Sequence, residues 1–231
     1  MAHVITPPAH ACVAVTGQTG TFPVHRIYCV GRNYQDHAVE MGHSGREAPF
    51  FFMKPADAVV CAQSDETIAM PYPSLTSNLH HEVELVVAIG TGGHNIAVED
   101  AAKHIFGYAV GLDMTRRDLQ NELKKQGRPW CIAKGFDHSA PIGPITPASQ
   151  VANIAGASIS LEVNTDQRQH GAIANMIWNI AETIAEISQA WTLQPGDLIF
   201  TGTPAGVGAV VRGDLLCANV SGLQTLRVRL E

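Results

Sequence analysis

Several features are scarce or missing in the 231-residue sequence, and each absence narrows the class of protein. No apolar run reaches the roughly 18 residues of a membrane-spanning helix, and the N-terminus lacks the basic and apolar regions of a signal peptide. The net charge is −6 with no basic block, which argues against nucleic acid as the main partner. The five cysteines are far apart and lack Cys-x-x-Cys spacing, as expected for reduced thiols. We therefore expect a soluble, cytoplasmic protein with no membrane or nucleic-acid partner.

What is present predicts a globular fold built mostly from strands. Hydrophobic residues make up 45% of the chain and charged residues 16%. Short β-branched and apolar runs bounded by glycine and proline dominate, and helical patterns are few, with the longest over 173–191. The expected class is α+β, mostly β. We expect residues 1–25 to form an N-terminal arm or strand and residues 26–231 to form the main domain.

The most informative residues are three carboxylates near the middle of the chain. Glu82 and Glu84 open a β-branched apolar run, so they would lie two apart on one face of a strand. Asp113 ends a second strand-like run. Such a set of oxygen ligands favours Mg²⁺ or Mn²⁺ with positions open for substrate. Two alternatives remain from spacing alone: a solvated strand edge, and a zinc site using the adjacent pair His80–His81.

A second candidate group lies upstream, in a predicted helix of two turns over 33–42. Asn33 would be its N-cap and Gly42 would follow its last turn. His37 and Glu40 are three apart and would share a helical face. A carboxylate that orients an imidazole supports it as a base for activating water. An ordinary surface pair is the alternative.

Further polar residues follow the third carboxylate. Thr115 predicts the N-cap of a helix closed by Gly127, with Arg117 and Gln120 on one face and Arg116 in solvent. Lys134 lies between apolar residues and a glycine, so it either reaches solvent or is held inside as a charge partner.

These stretches resemble the fumarylacetoacetate hydrolase family, and in particular its short acylpyruvase branch. The matching motifs occur in the family's order and extend over most of the chain from Arg26: GRNYQDHAVEMG (31–42), FFFMKP (50–55), LHHEVELVVAIG (79–90), GYAVGLDMTRRDLQ (107–120), KKQGRPWCIAKGFD (124–137) and GDLIFTGTPAGVG (196–208). One departure is the pair Asn164-Thr165, where relatives often have Asn-Gly.

The resemblance implies a compact β-roll with short helices, a homodimer, and specific roles for the candidate residues. Glu82, Glu84 and Asp113 match the family's Mg²⁺ or Mn²⁺ ligands. His37 and Glu40 match its water-activating dyad on a lid. The implied catalytic and substrate-binding residues are completed by Lys134, Arg32, Arg117, Gln120 and Thr203.

The implied activity is metal-dependent hydrolysis of a carbon–carbon bond in a 2,4-diketo acid, an acylpyruvate such as fumarylpyruvate. The same site leaves two other reaction classes open, decarboxylation of oxaloacetate and isomerisation of a related keto acid. A metal-binding scaffold without activity is the non-enzymatic alternative.

Overall fold

The fold is taken from a computed structural model that describes residues 3–35 and 46–231. The predicted helix over 33–42, with His37 and Glu40, therefore lies largely outside the described residues. Within the described ranges, no helix is long and apolar enough to cross a membrane.

The described residues form eighteen strands and a small number of helices. The strands in the first half of the chain are β1 Cys12–Ala14, β2 Thr21–Pro23, β3 Ile27–Gly31, β4 Phe50–Lys54, β5 Val59–Cys61, β6 Thr67–Met70, β7 Leu79–His81, β8 Val83–Ile89 and β9 Ile105–Leu112. Those in the second half are β10 Thr115–Arg116, β11 Ala140–Ile142, β12 Thr146–Pro147, β13 Ser158–Val163, β14 Asp166–Ala172, β15 Leu198–Phe200, β16 Gly208–Val210, β17 Leu215–Val220 and β18 Leu226–Leu230. The α-helices are α1 Arg117–Lys125, α2 Cys131–Lys134 and α3 Ile180–Ala190, and the 3₁₀ helices are Ala56–Ala58, Val98–His104, Ala148–Gln150 and Ile173–Asn175.

Two larger sheets enclose the main core. The eight-stranded sheet has the order β4-β3-β15-β8-β9-β11-β5, with β12 paired to β9, and the five-stranded sheet has the order β14-β13-β17-β18-β6. Strand β8 is buried along its whole length. Its alternate residues Val83, Leu85 and Val87 belong to the core that includes the five-stranded sheet, while Val86 and Ala88 pack in a second core. The N-terminal hairpin of β1 and β2 contributes Val13 and Phe22 to this second core.

A corner between two sheets explains where the acidic residues lie. The chain leaves the three-stranded sheet (β10-β7-β16) at the end of β7, passes through Glu82, and enters the eight-stranded sheet as β8. It makes the reverse change after β9, where the Asp113 N–H donates to the Glu82 carbonyl over 2.9 Å. Strands that change sheets through a bend in this way bring both crossing points to one corner.

A strand pairing shows that the predicted start of helix α1 is wrong. Thr115 is not its N-cap, because Thr115 and Arg116 pair with β7 as strand β10. Arg116 is also not in solvent: it is buried, its guanidinium lies 4.4 Å from the Phe136 ring centroid, and it donates to the Ile132 carbonyl. The helix therefore starts at Arg117 and ends at Lys125.

The start of one other helix also differs from the prediction. The longest helical pattern yields helix α3 only from Ile180, because Asn179 and Glu182 form a capping box there. The predicted helix that Asn33 would cap lies largely outside the described residues; the buried Asn33 side chain donates to the Trp178 and Thr201 carbonyls and accepts from the Trp178 N–H.

Candidate metal centre and substrate cleft

Three buried carboxylates meet at the corner between the sheets. Glu82, Glu84 and Asp113 are 6%, 2% and 1% exposed, and one ligand oxygen from each lies within 4.8 Å of the others. The alternation of a strand brings Glu82 and Glu84 to one side, and the backbone bond between Asp113 and Glu82 adds the third acid. Oxygen ligands this close together suit one divalent cation such as Mg²⁺ or Mn²⁺.

Two buried lysines contact this carboxylate group. The Lys134 ammonium is 2.7 Å from Glu82 Oε2 and 2.6 Å from Asp113 Oδ2. Burial alone would lower the pKa of Lys134, but the charges of Asp113 and Glu82 outweigh it and raise the pKa above its ordinary value. Lys54 lies 2.8 Å from Asp113 Oδ1 and donates to the Met114 and Lys134 carbonyls. The lysines thus hold Asp113 in a fixed orientation.

The first turn of helix α1 supplies the next cation. Arg117 pairs with Glu82 and donates to the Gln120 side-chain oxygen. Its Nε lies 3.4 Å from Nδ1 of His80. Burial and the charge of Arg117 lower the pKa of His80 to about 4, so the imidazole is neutral at neutral pH.

The surroundings of Glu84 disfavour its charged form. Burial raises its pKa well above the ordinary value, and the charges of Asp113 and Glu82 raise it further. Its Oε2 accepts a hydrogen bond from the Gly202 N–H over 2.8 Å. A Cβ on Gly202 would lie 2.7 Å from Asn33 Cβ, and its φ is +94°, so glycine is needed for this approach.

The balance of charges around the three carboxylates indicates whether a metal ion fits this site. Among the described residues, the three acids face Lys54, Lys134 and Arg117, so the buried group is formally neutral. A divalent cation would relieve the repulsion that raises the pKa of Glu84 and would give the site a positive charge. The donor set therefore fits a hard divalent cation that leaves the site attractive to an anionic substrate.

Neither His80 nor His81 belongs to this oxygen cluster, which counts against the zinc alternative that would use them. His80 Nε2 lies 2.9 Å from the Asn78 side-chain oxygen, and His81 Nδ1 lies 2.9 Å from the Gln169 side-chain oxygen. The solvated strand edge is wrong as well, because all three acids are buried.

The carboxylates line a cleft that has one aromatic wall. Phe50, Phe52 and Trp130 line it, and Trp130 meets both phenylalanine rings edge-on, with centroids 5.6 and 6.0 Å away. Arg32 lines the cleft with its guanidinium 5.2 Å from the Phe50 centroid. The φ of Arg32 is +55°, a left-handed conformation that costs about 1–2 kcal/mol in a non-glycine residue. Strain of this kind is concentrated at functional sites.

Most of the predicted site residues therefore lie in one cleft. The lining includes Glu82, Glu84, Asp113, Arg32, Arg117, Gln120, Lys134 and Thr203. His37 and Glu40 lie outside the described residues. The roles of all these residues remain predictions.

Sequence reasoning assigned no role to two buried side chains, Lys54 and Gln169. Lys54 is in the quoted FFFMKP motif, but only the fold shows that it reaches Asp113. Gln169 is the buried member of an otherwise exposed polar stretch, so its pattern carried no signal.

A mostly β fold whose buried acidic triad can hold a divalent cation, within a cleft also lined by cationic side chains, suits a metal-dependent enzyme that acts on a small molecule. The chain belongs to the fumarylacetoacetate hydrolase family. Residues 26–231 match the family model described as "Fumarylacetoacetate (FAA) hydrolase C-terminal".

Individual relatives are similar over most of their length. The crystal structure of fumarylpyruvate hydrolase from Pseudomonas aeruginosa in complex with Mn²⁺ and pyruvate is 53% identical, with a TM-score of 0.97 and 99% of each chain covered. A fumarylpyruvate hydrolase of Ralstonia sp is 46% identical over 177 residues, 77% of this chain and 90% of that protein. A mitochondrial oxaloacetate tautomerase of Rattus norvegicus is 41% identical over 205 residues, 89% of this chain and 91% of that protein.

These similarities confirm the predicted family, the mixed β-fold and the expectation of an enzyme in the carbon–carbon hydrolase class. A divalent metal cofactor is confirmed as well, since Mn²⁺ is bound in the Pseudomonas aeruginosa enzyme and the acidic triad here can hold such an ion.

Proposed function

We propose that this enzyme hydrolyses an acylpyruvate at the bond between C3 and C4, converting fumarylpyruvate to fumarate and pyruvate. The observation that carries the proposal is the buried acidic triad in a cationic cleft, in a chain 53% identical to a fumarylpyruvate hydrolase that binds Mn²⁺ and pyruvate. Pyruvate is the product that all acylpyruvates share, so the part of the cleft around the carboxylates would hold this common head group.

The head group would be held by charge. Arg117 and Lys134 present cationic donors beside Glu82, and Thr203 contributes a hydroxyl to the same cleft. Bonds from cationic donors to a carboxylate are stronger than neutral ones. The aromatic wall of Phe50, Phe52 and Trp130 would pack against the acyl part and exclude bulk water.

The charge that develops during cleavage appears on the pyruvate half. A bound divalent cation would supply Lewis-acid stabilisation of the enolate that leaves, which can amount to several kcal/mol. The ammonium of Lys134 is already charged and is held in place by Glu82 and Asp113. It therefore needs no reorganisation to donate a hydrogen bond to the enolate oxygen.

Water activation is assigned to His37 and Glu40. The assignment is supported by the motif that contains them and by chain connectivity: His37 follows Arg32, a cleft residue, by five residues, and five extended residues span roughly 17 Å. His37, oriented by Glu40, would take a proton from water as its oxygen attacks C4. The C3–C4 bond then breaks, its electron pair passes to the pyruvate enolate, and a proton returns to C3. The acyl fragment leaves as a carboxylic acid.

A second candidate function is oxaloacetate tautomerisation. It is favoured by the 41% identity to the mitochondrial oxaloacetate tautomerase of Rattus norvegicus. Moving a proton between C3 and the C2 oxygen requires the same head-group contacts but no attacking water.

Parallel assays would separate these reactions. Purified enzyme with Mn²⁺ should be given fumarylpyruvate, acetylpyruvate and oxaloacetate, with pyruvate release and keto–enol exchange measured separately. Hydrolysis predicts pyruvate release from fumarylpyruvate with the largest kcat/KM of the three substrates. Rapid exchange of oxaloacetate without pyruvate release from either acylpyruvate would instead establish the tautomerase and refute the hydrolase.

We further propose that the enzyme works as a cytoplasmic homodimer, with residues 26–231 as the catalytic domain and residues 1–25 as its arm. The family model begins at residue 26, which supports the boundary. The five widely spaced cysteines suit a reducing compartment. Light scattering of the purified protein would test the dimer.

A further inference from the structure

One buried amide connects the backbone between the metal-ligand candidates to the opposite side of the cleft. Gln169, on strand β14, is 1% exposed. Its Oε1 accepts from the Val83 N–H at 3.0 Å and lies 2.9 Å from His81 Nδ1. Its Nε2 donates to Thr203 Oγ1 and to the Pro204 carbonyl, each over 2.8 Å.

The orientation of this amide is determined by its fixed partners. The backbone N–H of Val83 can only donate, so the atom that faces it must be the amide oxygen. The carbonyl of Pro204 can only accept, so the atom that faces it must be the nitrogen. The two ends of the Gln169 side chain therefore cannot be exchanged, and its Nε2 must donate to Thr203.

The bond donated by Gln169 leaves the hydrogen of the Thr203 hydroxyl free to be donated elsewhere. The hydroxyl oxygen accepts the bond from Gln169, so its own hydrogen is available to a different acceptor. Thr203 is 3% exposed and lines the cleft that contains the three carboxylates. A ligand oxygen in the cleft can accept this hydrogen.

We propose that Gln169 is a positioning residue that orients the Thr203 hydroxyl so that it donates its hydrogen bond to a carbonyl or carboxylate oxygen of the substrate. Gln169 acts through Thr203 and does not touch the substrate. The inference rests on the proposed function in that the ligand of the cleft is a keto acid. It adds a buried residue that controls how Thr203 meets this keto acid.

A double-mutant cycle tests this coupling, using Gln169→Met, Thr203→Val and the double variant. A hydrogen bond to a charged oxygen contributes enough that Gln169→Met should lower kcat/KM by about 10- to 100-fold, mainly through a higher KM. In the Thr203→Val background, the same change should alter kcat/KM by no more than about twofold. Thr203→Ser keeps the hydroxyl, so the effect of Gln169→Met should persist in that background. Gln167→Met, an exposed position on the same strand, is the matched control and should have no effect.

A purely structural role for Gln169 predicts a different result. The two substitutions would then add, or Gln169→Met would leave the kinetics unchanged, and either outcome overturns the proposal. If Gln169→Met does not fold, Gln169→Glu preserves the acceptor for Val83 but turns the group facing Thr203 into an acceptor. It should raise KM in the same way, and a wild-type KM would overturn the proposal.

Binding of pyruvate in the presence of Mn²⁺, measured by calorimetry, separates this inference from the proposed function. Should the wild type release no pyruvate from acylpyruvates, the hydrolase assignment fails while the cycle can still be completed on pyruvate affinity. Weaker pyruvate binding by Gln169→Met, abolished in the Thr203→Val background, would support the positioning role. Equal affinity of wild type and Gln169→Met would refute it.

Discussion

Replacing Lys54 with methionine is the most informative perturbation of the buried charges. The Lys54 side chain is fully buried, with its ammonium 2.8 Å from Asp113 Oδ1 and 5.7 Å from the Phe136 ring centroid. Methionine retains most of the volume but removes the charge. The carboxylates would then face one cation fewer, and Asp113 would be held by Lys134 alone.

The expected size of the effect follows from the burial of both partners. Removing one member of a buried ion pair costs about 3–5 kcal/mol, because the other charge is left without compensation. For a chain of this size, that loss corresponds to a fall in Tm of roughly 6–20 °C in metal-free protein. A divalent cation would replace the missing positive charge, so Mn²⁺ should raise the Tm of the variant more than that of the wild type.

Thermal unfolding in EDTA and in Mn²⁺ measures both effects. The matched control is Lys125→Met at an exposed position of helix α1, which should leave both temperatures near wild type. A Lys54→Met variant within about 2 °C of the wild type in EDTA, with the same response to Mn²⁺, would refute the account of the charge balance.

Three further predictions concern the dyad, the buried acid and the hairpin. His37→Ala should abolish hydrolysis, while Mn²⁺ affinity measured by calorimetry stays near wild type. Unchanged turnover in this variant would contradict the assignment of His37 and Glu40 as the water-activating dyad. Because burial raises the pKa of Glu84 above 4.5, the folded metal-free protein holds a proton that the unfolded chain loses. The Tm of the metal-free protein should therefore fall as pH rises from 4.5 towards the raised pKa. The increase in Tm on adding Mn²⁺ should grow over the same interval, and an increase that does not depend on pH would contradict this reasoning. Thr165→Gly should raise stability by about 0.5–1 kcal/mol in urea unfolding, because Thr165 has a φ of +85° in a hairpin turn that favours glycine; a loss of stability would count against strain there.

The sequence predicted the position of a side chain correctly where that position depends on neighbouring residues in the chain. The alternation of a strand predicted that Glu82 and Glu84 share a face, and the end of the next run predicted that Asp113 lies near them. Even so, Glu82 lies between two strands, because the chain changes sheets there. The family motifs added the expectation that Lys134 belongs to the same site.

The wrong start of helix α1 and the missed contacts of Gln169 both result from residues that are far apart in the chain. Helix α1 starts two residues after Thr115 because strand β10 pairs with β7, which the local capping pattern does not reveal. Gln169 contacts residues of strand β8 and the loop after strand β15, far from it in the chain. Long-range contacts of this kind are not encoded by periodicity.

Calorimetric titration of Mn²⁺ into wild type and Glu84→Ala tests the metal centre most directly. The account predicts one ion per chain for the wild type and an affinity at least about 100-fold lower for the variant, since even residues that only support metal ligands contribute 10- to 100-fold. Normal Mn²⁺ affinity in Glu84→Ala would contradict the assignment of the buried carboxylates as the metal site.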